Sequence, residues 1–192
     1  MRNEAHKFMP RTYQMLNGKL VAMAGHSVNH AVVAYNILRI FSSYLKGKKC
    51  RAFGELKVFL TPEDRFIPDV MIVCNKDIIT KNGINGAPDL VVEVLSPGTA
   101  KYDRFYKMEV YANCGVKEYW LVDVNSRMLE IYILQDGRFI LDNTYVMKEE
   151  LMLDDLPEEE AAQYLYSFKT SLFDDLIINI DEVFEGIITN FS

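Results

Sequence analysis

Two acidic side chains stand where a strand built only for packing has no use for them. Glu93 interrupts the apolar run Leu90-Val91-Val92-Glu93-Val94-Leu95, and Asp69 follows Pro68 at the head of another, Val70-Met71-Ile72-Val73. Burying one carboxylate without a partner costs several kcal/mol even after relaxation. Two brought together repel, and one of them tends to take up a proton. A divalent cation with a preference for hard oxygen ligands removes both penalties. The competing reading is structural: an acid in a strand often pairs with a nearby Arg or Lys, or faces solvent at a sheet edge. Spacing alone leaves the two readings open.

The elements that would carry these acids can be read from the pattern. Residues 13–24 form a hairpin around the turn signal Asn17-Gly18. A helix follows over 27–45, capped by Ser27, with Val28, Val32, Tyr35 and Leu38 at helical spacing and Ala34, Ile37 and Phe41 as a second stripe. Three strands are expected at 54–60, 67–74 and 88–95. The last is β-branched and almost continuously apolar, as central strands covered on both faces are. Ser96-Pro97-Gly98 stops it. A second helix over 99–113 ends at Gly115, and a buried strand occupies 117–124. Met128–Gln135 and 139–147 make a hairpin around Asp136-Gly137. Residues 148–165 are acidic and helix-prone, 171–180 are extended, and a short helix closes the chain near 181–187. Helix, three strands, helix, strand and hairpin imply an α/β fold, a mixed sheet with helices on its faces.

Composition narrows the class. A chain of 192 residues, 49% apolar and 25% charged, suits one globular domain spanning 1–192. The net charge of −6 supplies no global basic field for nucleic acid, so any such surface must be local. Lys46, Lys48, Lys49 and Arg51 form one basic run; cations favoured at a helix C-terminus explain it, and a phosphate-contacting patch is the alternative. Cys50, Cys74 and Cys114 have neither zinc nor CxxC spacing and read as reduced core thiols. The N-terminus lacks a signal-peptide core and no apolar run is long enough to span a bilayer, so a cytoplasmic location with no membrane association is expected. Phosphate-binding, dinucleotide-binding and nucleophile-elbow motifs are absent from the sequence, which removes kinase, hydride-transfer and serine-hydrolase readings.

Several segments taken in order carry a resemblance. Arg65-Phe66-Ile67-Pro68-Asp69-Val70, Ala87-Pro88-Asp89-Leu90-Val91-Val92-Glu93-Val94-Leu95-Ser96-Pro97, Tyr102-Asp103-Arg104-Phe105-Tyr106-Lys107 and the run from Tyr111 to Asp123 closely resemble a large bacterial family. Its members are described as restriction endonucleases of the PD-(D/E)XK superfamily. The Asn17-Gly18 hairpin, His30 and Ser171-Leu172-Phe173-Asp174-Asp175-Leu176 resemble it too, so the likeness covers nearly the whole chain. It implies a restriction-endonuclease-like αβββαβ core with added hairpins. It also implies a metal-dependent endonuclease that hydrolyses DNA phosphodiester bonds, with Asp69 and Glu93 as ligands of Mg2+ or Mn2+. DNA is the implied partner, and a homodimer suits the cutting of two strands.

The chain departs from the superfamily pattern at Leu95, which occupies the place of a strand lysine. Lys107, four residues after Asp103 on the second helix, could replace it and stabilise transition-state charge; an ordinary helix ion pair is the bland alternative. His30 is either a packed helix histidine or a group that orients substrate or a metal-bound water. Glu55 could reach the site from the first strand. Asp89 lies roughly 13 Å along the strand from Glu93 and reads as an edge or turn residue. Tyr119 and Trp120 point to opposite faces and read as core. Leu95 and the acidic balance also motivate a non-catalytic nucleic-acid-binding or regulatory module on a nuclease scaffold, and the acidic surface a protein-interaction domain.

Overall fold

The computed structural model describes residues 13–23, 25–147 and 166–189. The acidic segment 148–165, expected to open a short helix, lies outside the described residues. Strands β1 (Tyr13–Leu16) and β2 (Lys19–Ala22) pair across a turn in which Asn17 and Gly18 both have positive φ, the conformation that matches hairpin twist. Helix α1 (Val28–Tyr44) starts at Ser27, whose hydroxyl accepts from the His30 N–H at 3.2 Å. Of its two apolar stripes, the one through Ile37 and Phe41 is buried together with Val33 and His30, whereas Val28 and Tyr35 point outward.

The expected strand at 54–60 is two strands in two sheets. β3 (Arg51–Gly54) and β4 (Val58–Phe59) are separated by Glu55, whose φ of 47° turns the chain. Likewise β5 (Arg65–Phe66) and β6 (Val70–Val73) flank Pro68. β7 (Ile79–Thr80) and β8 (Gly83–Asn85) add a small hairpin absent from the expected order. Gly83 is required there: with φ at 137°, a Cβ would stand 2.2 Å from the Lys57 carbonyl oxygen. β9 (Leu90–Val94) is buried at all five positions. Tyr102–Lys107 winds as a π-helical turn into α2 (Met108–Cys114), which Gly115 closes in the left-handed conformation.

β10 (Glu118–Asp123), β11 (Met128–Gln135) and β12 (Arg138–Val146) complete the principal sheet, ordered β12-β11-β10-β9-β6-β3. It is mixed, with β9 and β10 parallel and the other pairs antiparallel. Among the described residues there are three sheets in place of one: β2-β1-β5-β4-β8-β7 forms a second, and β13 (Ser167–Thr170) with β14 (Phe173–Asn179) a third, ahead of the short α3 (Ile180–Phe184).

Alternation along β9 creates two cores. Leu90, Val92 and Val94 face α1 with Trp120, while Val91 faces Tyr111 and Tyr119 on the α2 side, as the opposite orientations of Tyr119 and Trp120 require. No helix among the described residues is long and apolar enough to cross a membrane.

The cysteine reading needs correction. Cys50 and Cys74 are joined by a disulfide with Cα atoms 3.9 Å apart, and Cys114 is free. β3 and β6 pair Arg51 with Val73, so one further step of register sets Cys50 opposite Cys74. A 24-residue separation carries no sequence signal for that pairing. Breaking the bridge, by dithiothreitol or by Cys50→Ser with Cys74→Ser, is expected to lower stability by about 2–4 kcal/mol in urea titrations.

Candidate metal centre

The register of β6 and β9 decides the position of the two acids. Val70 pairs with Val92 and Met71 with Val91 in antiparallel sense, so the next step places Asp69 beside Glu93. Directly opposed residues on neighbouring strands have Cβ atoms about 4.5–5.5 Å apart. Asp69 is locked by its own strand neighbour: Oδ2 accepts the Val94 N–H at 2.7 Å. Both acids line one cavity of about 20 Å³, room for a single ion or water, and both are at least 94% buried.

Lys107 reaches the same place from the π-helical turn. Its Nζ lies 3.0 Å from Glu93 Oε1 and 2.8 Å from Asp103 Oδ1, and all three side chains are buried. π-Helical winding is uncommon and shifts the facing of a helix locally; here it presents Asp103 and Lys107 inward together. The Tyr119 hydroxyl donates to the Asp103 carbonyl at 2.9 Å, and the Tyr111 hydroxyl donates to Glu93 Oε1 at 2.9 Å. Leu95, in the place of the strand lysine, packs against the apolar core on the α2 side. His30 enters from the first turn of α1, with Nε2 3.4 Å from Asp69 Oδ2.

Three buried carboxyl groups, Asp69, Glu93 and Asp103, crowd around the Lys107 ammonium and the His30 ring. Burial pushes the Glu93 carboxyl up to about 8, with Asp103 and Asp69 adding to the rise and Lys107 opposing it. Burial disfavours the Lys107 ammonium, but Glu93 and Asp103 more than compensate and hold its pKa above the usual lysine value. For His30, burial opposes protonation, yet contact with Asp69 outweighs it and the pKa rises. Gln14, from β1, lines the same cavity, and its side-chain oxygen is buried with no hydrogen-bond partner among the described residues. Two carboxyl groups and an amide oxygen with no hydrogen-bond partner among the described residues fit a divalent cation that prefers oxygen.

A pH dependence follows, with a definite sign. A cation held by Glu93 would need the carboxyl ionised, and its raised pKa keeps it partly protonated at neutral pH. Below about 8, cation affinity is expected to fall by up to about tenfold per pH unit, and to level off above it. Calorimetric Mn2+ titrations between pH 6 and 9 measure this; a flat profile would show that Glu93 ionisation is not linked to binding.

Asp69, Glu93, Lys107 and His30 therefore converge, although they come from four separate elements. Gln14 and His26 also line the cavity and had no sequence signal beyond their place before a turn and a helix cap. Glu55 is largely exposed and reaches the site only through His26, its Oε1 lying 3.3 Å from His26 Nδ1. Asp89 is a strand-end residue, accepting from the Cys74 N–H and the Lys117 ammonium, each at 2.7 Å. In the basic run, Lys48 lies over the Tyr44 ring at 3.3 Å and beside Asp175 at 3.6 Å.

The chain is similar to known proteins in both sequence and backbone. Residues 7–163 match the family model described as "Uma2: Putative restriction endonuclease". Over 157 residues the chain is 30% identical to the uncharacterized protein slr1290 of Synechocystis sp. (strain ATCC 27184 / PCC 6803 / Kazusa), covering 80% of this chain and 83% of that one. It is 27% identical to sll1609 of the same organism over 124 residues, 62% of this chain and 70% of that one. Its backbone matches the crystal structure of a "putative nuclease belonging to DUF820" from Anabaena variabilis ATCC 29413, with a TM-score of 0.69 at 18% identity, covering 92% and 93% of the two chains.

Proposed function

Because the chain belongs to the Uma2 family of putative restriction endonucleases, we propose that it is a metal-dependent endonuclease cutting DNA phosphodiester bonds. The observation that carries this reading is the convergence of Asp69, one residue before β6, and Glu93, in the antiparallel neighbour β9, on one cavity beside the buried ammonium of Lys107. A Mg2+ or Mn2+ ion held by these two carboxylates supplies Lewis acidity toward a phosphate oxygen and lowers the pKa of water.

The protein's own groups do the rest. Lys107 presents a preorganised positive charge to a phosphate that gains negative charge in the transition state. Asp103 holds Lys107 in place, and Tyr111 fixes the Glu93 carboxylate. His30 sits against Asp69 and sets its orientation. The ammonium thus comes from the helix instead of from the strand position that Leu95 occupies. One such centre cuts one strand, so double-strand scission calls for a homodimer related by a twofold axis.

The test is nicking of supercoiled plasmid by purified protein with Mg2+ or Mn2+, with a chelator control. Metal-dependent nicking that is lost in Glu93→Gln supports the proposal. Salt-sensitive DNA binding without cleavage under either metal would favour the scaffold reading that Leu95 first suggested, and nicking equal in wild type and variant would trace the activity to a contaminant.

A further inference from the structure

The cavity has a nitrogen side as well as an oxygen side. His26 precedes the Ser27 cap and His30 lies in the first turn of α1, so the helix start brings the two rings together, with centroids 4.1 Å apart and planes tilted by 38°. One ligand atom from each of His26, His30 and Asp69 lies within 4.8 Å of the other two. His30 Nδ1 is buried with no hydrogen-bond partner among the described residues, and Nε2 is the ring nitrogen that faces Asp69.

Two further contacts favour a cation here. His26 Nδ1 is 3.3 Å from Glu55 Oε1, so a hydrogen bond to that carboxylate leaves Nε2 as the lone-pair nitrogen. A carboxylate behind an imidazole is the usual outer support of a metal-bound histidine. His30 Nε2 and Asp69 Oδ2 are 3.4 Å apart, beyond the usual charge-assisted hydrogen bond. Two ligand atoms each about 2.1 Å from one tetrahedral ion stand about 3.4 Å from each other.

We infer that His26, His30 and Asp69 form a binding site for a borderline divalent transition-metal ion of the Zn2+, Co2+ or Ni2+ class. Imidazole suits such ions, whereas Mg2+ prefers oxygen alone. The site shares Asp69 with the Asp69–Glu93 pair but needs neither Glu93 nor nuclease activity. It adds a second ion preference on the α1 side of the cavity.

The experiment is titration of metal-free, full-length protein with Co2+, followed by visible d–d absorption, with Zn2+ competition measured by calorimetry. Wild type is expected to bind Co2+ and to release it to Zn2+. His26→Gln, whose side chain is 25% exposed and therefore replaceable without loss of fold, is expected to weaken Co2+ binding by at least about tenfold. Excess Mg2+ is expected not to displace the bound Co2+, which separates this site from the oxygen-only Asp69–Glu93 pair. Circular dichroism checks that the variant keeps the fold. Absence of Co2+ binding to wild type, equal binding by His26→Gln, or displacement of Co2+ by Mg2+ would each overturn the inference. Failure of the nuclease reading shows separately, as absent Mg2+- or Mn2+-dependent nicking.

Discussion

Asp69→Asn protein is expected to nick plasmid DNA at least roughly 10²–10³-fold more slowly than wild type in Mg2+ or Mn2+, with little change in stability. The substitution keeps shape and removes charge. An asparagine oxygen can still accept the Val94 N–H that Asp69 Oδ2 takes at 2.7 Å, so the junction between β6 and β9 persists. What disappears is one of the two carboxyl groups that line the cavity, and with it much of the attraction for a divalent ion. Nicking rates measured over a metal titration, alongside urea unfolding, separate the two effects. A variant as active as wild type would remove Asp69 from the catalytic centre and the nuclease proposal with it.

Lys107→Met is expected to cause the largest loss of stability, about 3–5 kcal/mol by urea denaturation. Methionine matches the length of the lysine stem but leaves Glu93 and Asp103 buried without their shared cation. The penalty comes from the orphaned acids, so it should be partly reversed by adding Asp103→Asn, which removes one of them. Nicking should stay lost in that double variant, because the ammonium proposed to face the phosphate is still missing. Recovery of stability without recovery of cleavage distinguishes a catalytic lysine from a purely structural one. If Lys107→Met alone unfolds at the wild-type midpoint, the ion pairs of Lys107 with Glu93 and Asp103 are energetically idle and the proposed role of Lys107 weakens.

Much of the frame was legible along the chain. The Asn17-Gly18 and Asp136-Gly137 turns, the Ser27 cap, the Gly115 stop and the doubly buried β9 run each have a local cause that acts within a few residues. Glu93 stood out because it broke such a run, and Asp69 because it followed Pro68 at the head of another. The misreadings share an origin in long-range pairing. Residues 54–60 have strand-like composition, yet the backbone turn at Glu55 assigns β3 and β4 to different sheets. Cys50 and Cys74 gave no sign of meeting, because their approach depends on which strand lies next to β3. Gln14 and His26 looked like a hairpin residue and a residue before a helix cap, and only the packing of β1 and α1 against the sheet brings them to the acids.

Local chemistry alone determined which residues needed compensation: an acid inside an apolar strand, an acid after a proline, and a lysine one helical turn from an aspartate. Tertiary structure decided how they are compensated. Antiparallel register sets Asp69 beside Glu93, π-helical winding turns Lys107 and Asp103 inward, and the start of α1 adds two imidazoles. The division has a physical reason. Burying a charge is costly wherever it stands in a sequence, but the partner that offsets the cost is chosen by strand order and helix facing, which hold groups far apart in the chain within a few ångströms.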